Sequence, residues 1–252
     1  MTDVMVFTDL DGSLLDHETY AFDAALPALE ALARADIPVS IVSSKTRAEI
    51  VPLVSQLKLE GPIIAENGAV IAYPEGSVDS AGHIDDIRQA LEALPENLRA
   101  DIKGFGDMSI AEISQLTGLG EAASALAAQR EASEPFLWSG EGAPDKDLFA
   151  DKGFHIIRGG RFYHIIPGRD KGDAIRRVTS QMAKPDAKIW ALGDGPNDLS
   201  MLLAATKGAL IFNPSLQVTA QLPIKHSLYL TKQAGPSGWA EAIFTFLGEK
   251  KT

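Results

Sequence analysis

Apolar residues follow two rhythms along this chain. Short unbroken apolar runs, the pattern of strands buried on both faces, occur at VMVFTD (4–9), IPVSIVSS (37–44), AKIWALGD (187–194) and GALIFN (208–213). Between them lie stretches with helical spacing. FDAALPALEALARAD (22–36) sets Leu26, Leu29 and Leu32 on one side, with Pro27 in the first turn. KTRAEIVPLVSQLKL opens on Thr46 and Glu49, the spacing of a capping box. DKGDAIRRVTSQMA, NDLSMLLAAT and a closing GWAEAIFTFLGE continue the alternation. Strand alternating with helix predicts parallel pairing through right-handed crossovers. GPIIAENGAVIAY (61–73) predicts a third strand, a polar break at Glu66-Asn67-Gly68 and a fourth strand. Met5, Phe7, Trp190 and Phe212 are expected in the core.

The texture changes between residues 79 and 167. HIDDIRQALEALPE reads as a helix, IKGFGDMS (102–109) as a strand, and SIAEISQLTG as a helix with a second capping box at Ser109 and Glu112. Residues 120–131 are alanine-rich and helical in pattern. EPFLWSG and GFHIIRGGRFYHIIPG predict strands, the latter a hairpin turning at Arg158-Gly159-Gly160. The expected fold is α/β: a Rossmann-like parallel-sheet core from residues 1–78 and 168–252, with an inserted α/β cap domain at 79–167.

Composition narrows the function classes. With 252 residues and 45% hydrophobic content, the chain can bury one large core or two smaller ones. A formal net charge of −11 disfavours nucleic acid and anionic membrane as partners. A few cations in one cleft can still bind a small anion. There is no cysteine, which removes disulfides, thiolate zinc sites and a cysteine nucleophile. No apolar run reaches the roughly 18 residues of a membrane span, and the acidic N-terminal stretch does not read as a secretory leader. A cytoplasmic protein is expected. Nothing in the pattern gives an oligomeric state.

Chemistry gathers where the strands should end. The exits read TDLDG, VSSK, AENG, LGDGPND and FNPS, and in an open parallel sheet such ends converge on one crevice. Asp9, Asp11, Asp194 and Asp198 would crowd a small volume, which is unfavourable without a counter-charge. A divalent cation resolves this, and an all-oxygen donor set suits Mg2+ over zinc or copper. One carboxylate could then attack phosphorus while another moves protons. Ser43 could hold phosphoryl oxygens and Lys171 neutralise their charge. Asp194 and Asp198 also sit in a Gly-Asp-Gly turn, where a side chain can cap the following helix.

DLDGS (9–13), Ser43, Lys171 and GDGPND (193–198) resemble, in order, the four motifs of the haloacid-dehalogenase-like phosphatases. The resemblance implies Asp9 as nucleophile, Asp11 as general acid and base, Ser43 and Lys171 as phosphate-binding groups. It implies Mg2+ held by Asp9, the Asp11 backbone carbonyl and Asp194, with Asp198 a direct ligand or one shell out. VSSKT (42–46), IAENGAVI (64–71) and GGRFYHII (159–166) are similar, more narrowly, to mannosyl-3-phosphoglycerate phosphatases, with SSKT where broader sugar-phosphatase relatives often carry Thr-Gly-Arg. That implies hydrolysis of mannosyl-3-phosphoglycerate to mannosylglycerate and phosphate, with the glucosyl analogue, or sugar phosphates in general, as alternatives. Such a substrate carries a carboxylate, for which Arg161 is the candidate anchor. Ser44, Lys45, Glu66, Asn67 and His164 are further candidate contacts. A phosphosugar mutase and a noncatalytic sugar-phosphate sensor are the rival functions.

Overall fold

The computed structural model describes residues 2–159, 161–214 and 228–248. The chain begins with β1 (Thr2–Thr8), α1 (Leu26–Arg34), β2 (Val39–Val42) and α2 (Arg47–Leu57), followed by β3 (Ile63–Ala65), β4 (Val70–Ala72) and β5 (Val78–Ser80). Next come α3 (Ile84–Glu92), α4 (Glu96–Ala100), β6 (Ile102–Gly104), α5 (Ile110–Thr117), α6 (Glu121–Ala127), β7 (Glu134–Trp138), β8 (Phe154–Arg158) and β9 (Tyr163–Pro167). It ends with α7 (Lys171–Met182), β10 (Ala183–Gly193), α8 (Leu199–Ala204), β11 (Lys207–Phe212), β12 (Tyr229–Ala234) and α9 (Gly235–Leu247).

These elements form two compact units. The first holds Met1–Ser43, Lys58–Pro62 and Lys171–Thr252; the second holds Ser44–Leu57 and Ile63–Asp170. In the first, the strand order is β12-β11-β10-β1-β2, and every pair is parallel. The central β1 is buried on both faces, with Val6 and Phe7 fully enclosed, which is why its sequence is an unbroken apolar run. The chain leaves β1 for β2 on one side, yet β10 and β11 continue on the other. The order therefore reverses between β1 and β10, the position at which open α/β sheets bind ligands. Helices α7 and α8 pack on each other and on β10, whereas α9 packs on α1, β11 and β12.

The second unit is antiparallel. β3, β4 and β5 form a meander, and β6-β7-β9-β8 make a four-stranded sheet. Its apolar face includes Ile102, Phe136, Ile156 and Ile165, packed with Ile87 and Leu91 of α3. Both expected capping boxes form: Thr46 with Glu49, and Ser109 with Glu112.

Several expectations change. β3 and β4 pair antiparallel because only Glu66–Ala69 connects them, too short for a parallel crossover. The strand expected over 102–109 stops at Gly104, and the helix expected over 120–131 ends at Ala127. Leu26 is exposed; the inner face of α1 is Ala28, Leu29, Ala31 and Leu32. Phe212 is half exposed at the last position of β11 and is not core. Of the predicted hairpin turn, Gly160 lies outside the described residues, as do Ser215 of the FNPS exit and Glu249 of the last helix. Among the described residues no helix is long and apolar enough to cross a membrane.

Candidate active site

The site is assembled in the first unit by strand register. Thr8 pairs with Leu192 across β1 and β10, and the Asp9 amide continues the ladder by donating to the Leu192 carbonyl at 2.9 Å. Asp9 and Asp194 therefore leave adjacent strands side by side. On the other flank Thr8 pairs with Ile41 of β2, so Ser43, buried two residues further on, leaves the sheet beside the Asp9–Asp11 turn. Lys171 is the first residue of α7 and is almost wholly enclosed.

The ammonium of Lys171 donates to Asp9 Oδ1 at 2.7 Å and to Asp198 Oδ1 at 2.6 Å. The other oxygen of Asp198 accepts from the Asp194 and Gly195 amides at 3.0 and 2.9 Å. Asp198 thus caps its own turn and also faces the lysine. One carboxylate oxygen from each of Asp9, Asp194 and Asp198 lies within 4.8 Å of the other two. Two glycines make room for these carboxylates. A Cβ on Gly12, whose φ is +80°, would stand 2.4 Å from Asp194 Oδ2, and one on Gly193 would stand 2.5 Å from the Asp198 side chain. Neither position tolerates a larger residue without displacing an acid.

Electrostatics are strained here. Burial pushes the Asp9 carboxyl well above the usual range; Lys171 opposes this, and Asp198 and Asp194 add to it. Burial, reinforced by Asp198, pushes Asp194 up to about 7, against Lys171 and an amide hydrogen bond from Asn213. Burial alone would discharge Lys171, yet Asp198 and Asp9 hold it charged and raise its pKa. One ammonium against three buried carboxylates leaves excess negative charge. Hard oxygen donors, a shared focus and that excess suit a divalent cation such as Mg2+.

Asp11 sits two residues beyond Asp9 in the turn after β1, half-buried, with its backbone bridged to Leu15. Of the expected substrate contacts, all belong to the second unit. The Ser44 carbonyl accepts from Arg130 Nη2 at 3.0 Å, and the Lys45 carbonyl accepts from the Glu66 amide at 2.9 Å. The fully buried Glu66 carboxylate accepts from the Glu131 and Ala132 amides and the Ser133 hydroxyl at 2.7, 3.1 and 2.7 Å, with Arg130 Nε 3.8 Å away. Those bonds occupy it within its own unit. Glu66 and Asn67 both have positive φ, 53° and 58°, an uncommon backbone for such residues. His164 is buried in β9 opposite Ile157 and Pro135. Arg161 is exposed and donates from Nη1 to the Leu116 and Thr117 carbonyls at the end of α5. Arg130 and Asn213 were not anticipated. Asn213 is part of the FNPS strand exit, whereas Arg130 follows a plain alanine-rich helix and carries no signal in the sequence.

The chain belongs to the haloacid dehalogenase-like hydrolase family, whose model matches residues 6–117 and 149–224. Among its relatives, the glucosyl-3-phosphoglycerate/mannosyl-3-phosphoglycerate phosphatase of Persephonella marina is 34% identical, covering 98% of both chains. The protein of the same name from Methanococcoides burtonii is 35% identical, covering 97% of both. A solved structure of a haloalkanoate-superfamily phosphatase from Bacteroides thetaiotaomicron shares the fold, with a TM-score of 0.72 at 20% identity, over 97% of this chain and 95% of that one.

Proposed function

We propose that the protein is a Mg2+-dependent phosphatase that hydrolyses mannosyl-3-phosphoglycerate through an aspartyl-phosphate intermediate. The observation that carries the reading is the buried cluster of Asp9, Lys171, Asp198 and Asp194 at the reversal point of the parallel sheet. The names of both relatives support the substrate class, and because both also name the glucosyl ester, that ester is the alternative substrate.

In this reading an oxygen of Asp9 attacks phosphorus and forms a P–O bond as the ester P–O bond breaks. Asp11 gives its proton to the leaving oxygen, then takes one from the water that attacks the aspartyl phosphate. Phosphate leaves and both carboxyl groups return to their starting forms. Lys171 fixes the orientation of Asp9 and balances charge on the phosphoryl oxygens, with Ser43 donating to them. Asp9, Asp194 and the Asp11 carbonyl would hold Mg2+, with Asp198 as a direct or outer partner. The cation, when bound, would neutralise the carboxylates and polarise a phosphoryl oxygen.

Residues 79–167 are read as the cap, since the whole β6-β7-β9-β8 sheet falls within them. Ser44, Lys45, Asn67, Arg161 and His164 are assigned to the sugar and glycerate part of the substrate. Glu66, already engaged by three donors, would act there by shaping the 130–133 segment. The partner is a small phosphorylated glycoside, not nucleic acid or membrane, and the compartment is the cytoplasm.

The test is phosphate release from mannosyl- and glucosyl-3-phosphoglycerate and from simple sugar phosphates, with and without Mg2+. Release from the glycosyl-3-phosphoglycerates above all others, only with Mg2+, is expected. Isomer formation without free phosphate points to a mutase, and tight binding without turnover to a sensor. Asp9→Asn keeps the shape and removes the nucleophile's charge, so turnover should fall by about 10⁴-fold or more with the fold intact. Full activity in that variant would refute the mechanism.

A further inference from the structure

Asn213 follows β11 and donates from Nδ2 to Asp194 Oδ2 at 2.7 Å. Register accounts for the meeting. Gly193 pairs with Leu210 in parallel, so β11 runs alongside β10 and Asn213 leaves the sheet next to the turn that carries Asp194. The same oxygen is approached by the backbone of Gly12, where a Cβ would come within 2.4 Å. Asp194 Oδ2 is thereby fixed between an amide donor and a side-chain-free turn, while Asp194 contributes to the carboxylate trio with Asp9 and Asp198.

Resting on the reading of that trio as the cation site, we propose that Asn213 is a positioning residue. Its amide sets the rotation of the Asp194 carboxylate and so presents the ligand oxygen to the cation. It acts on metal affinity, and through it on turnover, without touching the phosphate ester. The residue type suits the task. A carboxamide donates a directed hydrogen bond and brings no positive charge to compete with a divalent ion, as a lysine or arginine would. Groups that orient a ligating carboxylate are worth about 10- to 100-fold in metal affinity.

The test uses the full chain stripped of metal: wild type, Asn213→Ala, and Asn213→Leu, which keeps the shape but has no donor. Mn2+ binding is measured by electron paramagnetic resonance titration, folding by circular dichroism and thermal unfolding without metal. KM and kcat for the phosphate ester are measured across Mg2+ concentrations. Both variants should fold as wild type and bind Mn2+ about tenfold or more weakly. The Mg2+ concentration for half-maximal activity should rise by the same factor, with KM for the ester at saturating Mg2+ unchanged. Wild-type Mn2+ affinity in either folded variant overturns the proposal, as does a rise in ester KM without a change in metal affinity. Wild type failing to bind Mn2+ at all would remove the cation reading itself, a result visible without either variant.

Discussion

Lys171 shows at the residue scale why a buried charge cluster can be both costly and retained. Its ammonium is desolvated, yet it touches two carboxylates at hydrogen-bond distance. Breaking a buried ion pair by removing one partner typically costs about 3–5 kcal/mol, because the other charge is left without compensation. Lys171→Met should therefore destabilise the metal-free protein by about that amount near neutral pH. At acidic pH, where Asp9 and Asp194 accept protons, the penalty should shrink. Urea unfolding at two pH values measures the difference, and an equal loss at both would mean that lost packing, not stranded charge, is responsible. Residues of this kind were legible in the sequence because acids next to glycines at the ends of apolar runs have few structural explanations. Asp9, Asp194 and Asp198 indeed meet. Asn213 and Arg130 were not legible as participants, since their roles depend on which strand or turn lies beside them, and no local pattern encodes that.

At the scale of elements, the 130–133 segment following α6 shows how irregular backbone is held. It has neither helix nor ladder, so its amides need other partners. Glu66 supplies them: one carboxylate takes two amides and a hydroxyl, and Arg130 links the Ser133 hydroxyl to the Ser44 carbonyl. The left-handed backbone at Glu66 lies between its own amide's bond to the Lys45 carbonyl and the three donors on its carboxylate. Arg47 and Glu131 make a bidentate pair nearby, but both side chains are more than a third exposed. Burial decides the ranking. Glu66→Gln turns an amino group toward donors and removes a buried acceptor, so it should cost about 2–4 kcal/mol. Arg47→Ala, at a solvated pair, should cost about 1 kcal/mol or less. Thermal unfolding orders the two, and hydrogen exchange at the Glu131 and Ala132 amides should quicken only in Glu66→Gln. Equal costs would mean that the buried anchor is no stronger than the surface pair. The fold's parallel half was readable from its strand–helix rhythm, and both capping boxes from their spacing. β5 and β12 were not, because VDS and YLTKQA are too short or too polar to show a strand period. The antiparallel β3–β4 pair depends on a connection length that an expected parallel sheet disguised.

For the whole molecule, the acidic cluster makes stability depend on pH in a direction opposite to that of most buried carboxylates in ion pairs. Folding raises the Asp194 pKa from its ordinary 3.8 to about 7 and raises that of Asp9 as well. Between those limits the folded chain binds a proton that the unfolded chain has released, so stability falls with rising pH. The contribution is fully present below about pH 4 and is lost as pH passes about 7. Without metal, the melting temperature should drop by about 5 °C or more between pH 5 and pH 7.5. A net charge of −11 also disfavours compactness as pH rises, so a charge-matched control is needed. Asp194→Asn removes one of the two titrating groups and should make the curve shallower. Glu141→Gln removes the same charge from an exposed loop position and should leave the slope as it is. Saturating Mg2+ should restore more stability at pH 7.5 than at pH 5 in wild type, because the cation competes with the protons that the folded cluster holds at the lower pH. An identical Mg2+ effect at both pH values would mean that the cluster is not where the proton binds, and equal slopes in Asp194→Asn and Glu141→Gln would mean that Asp194 does not carry it.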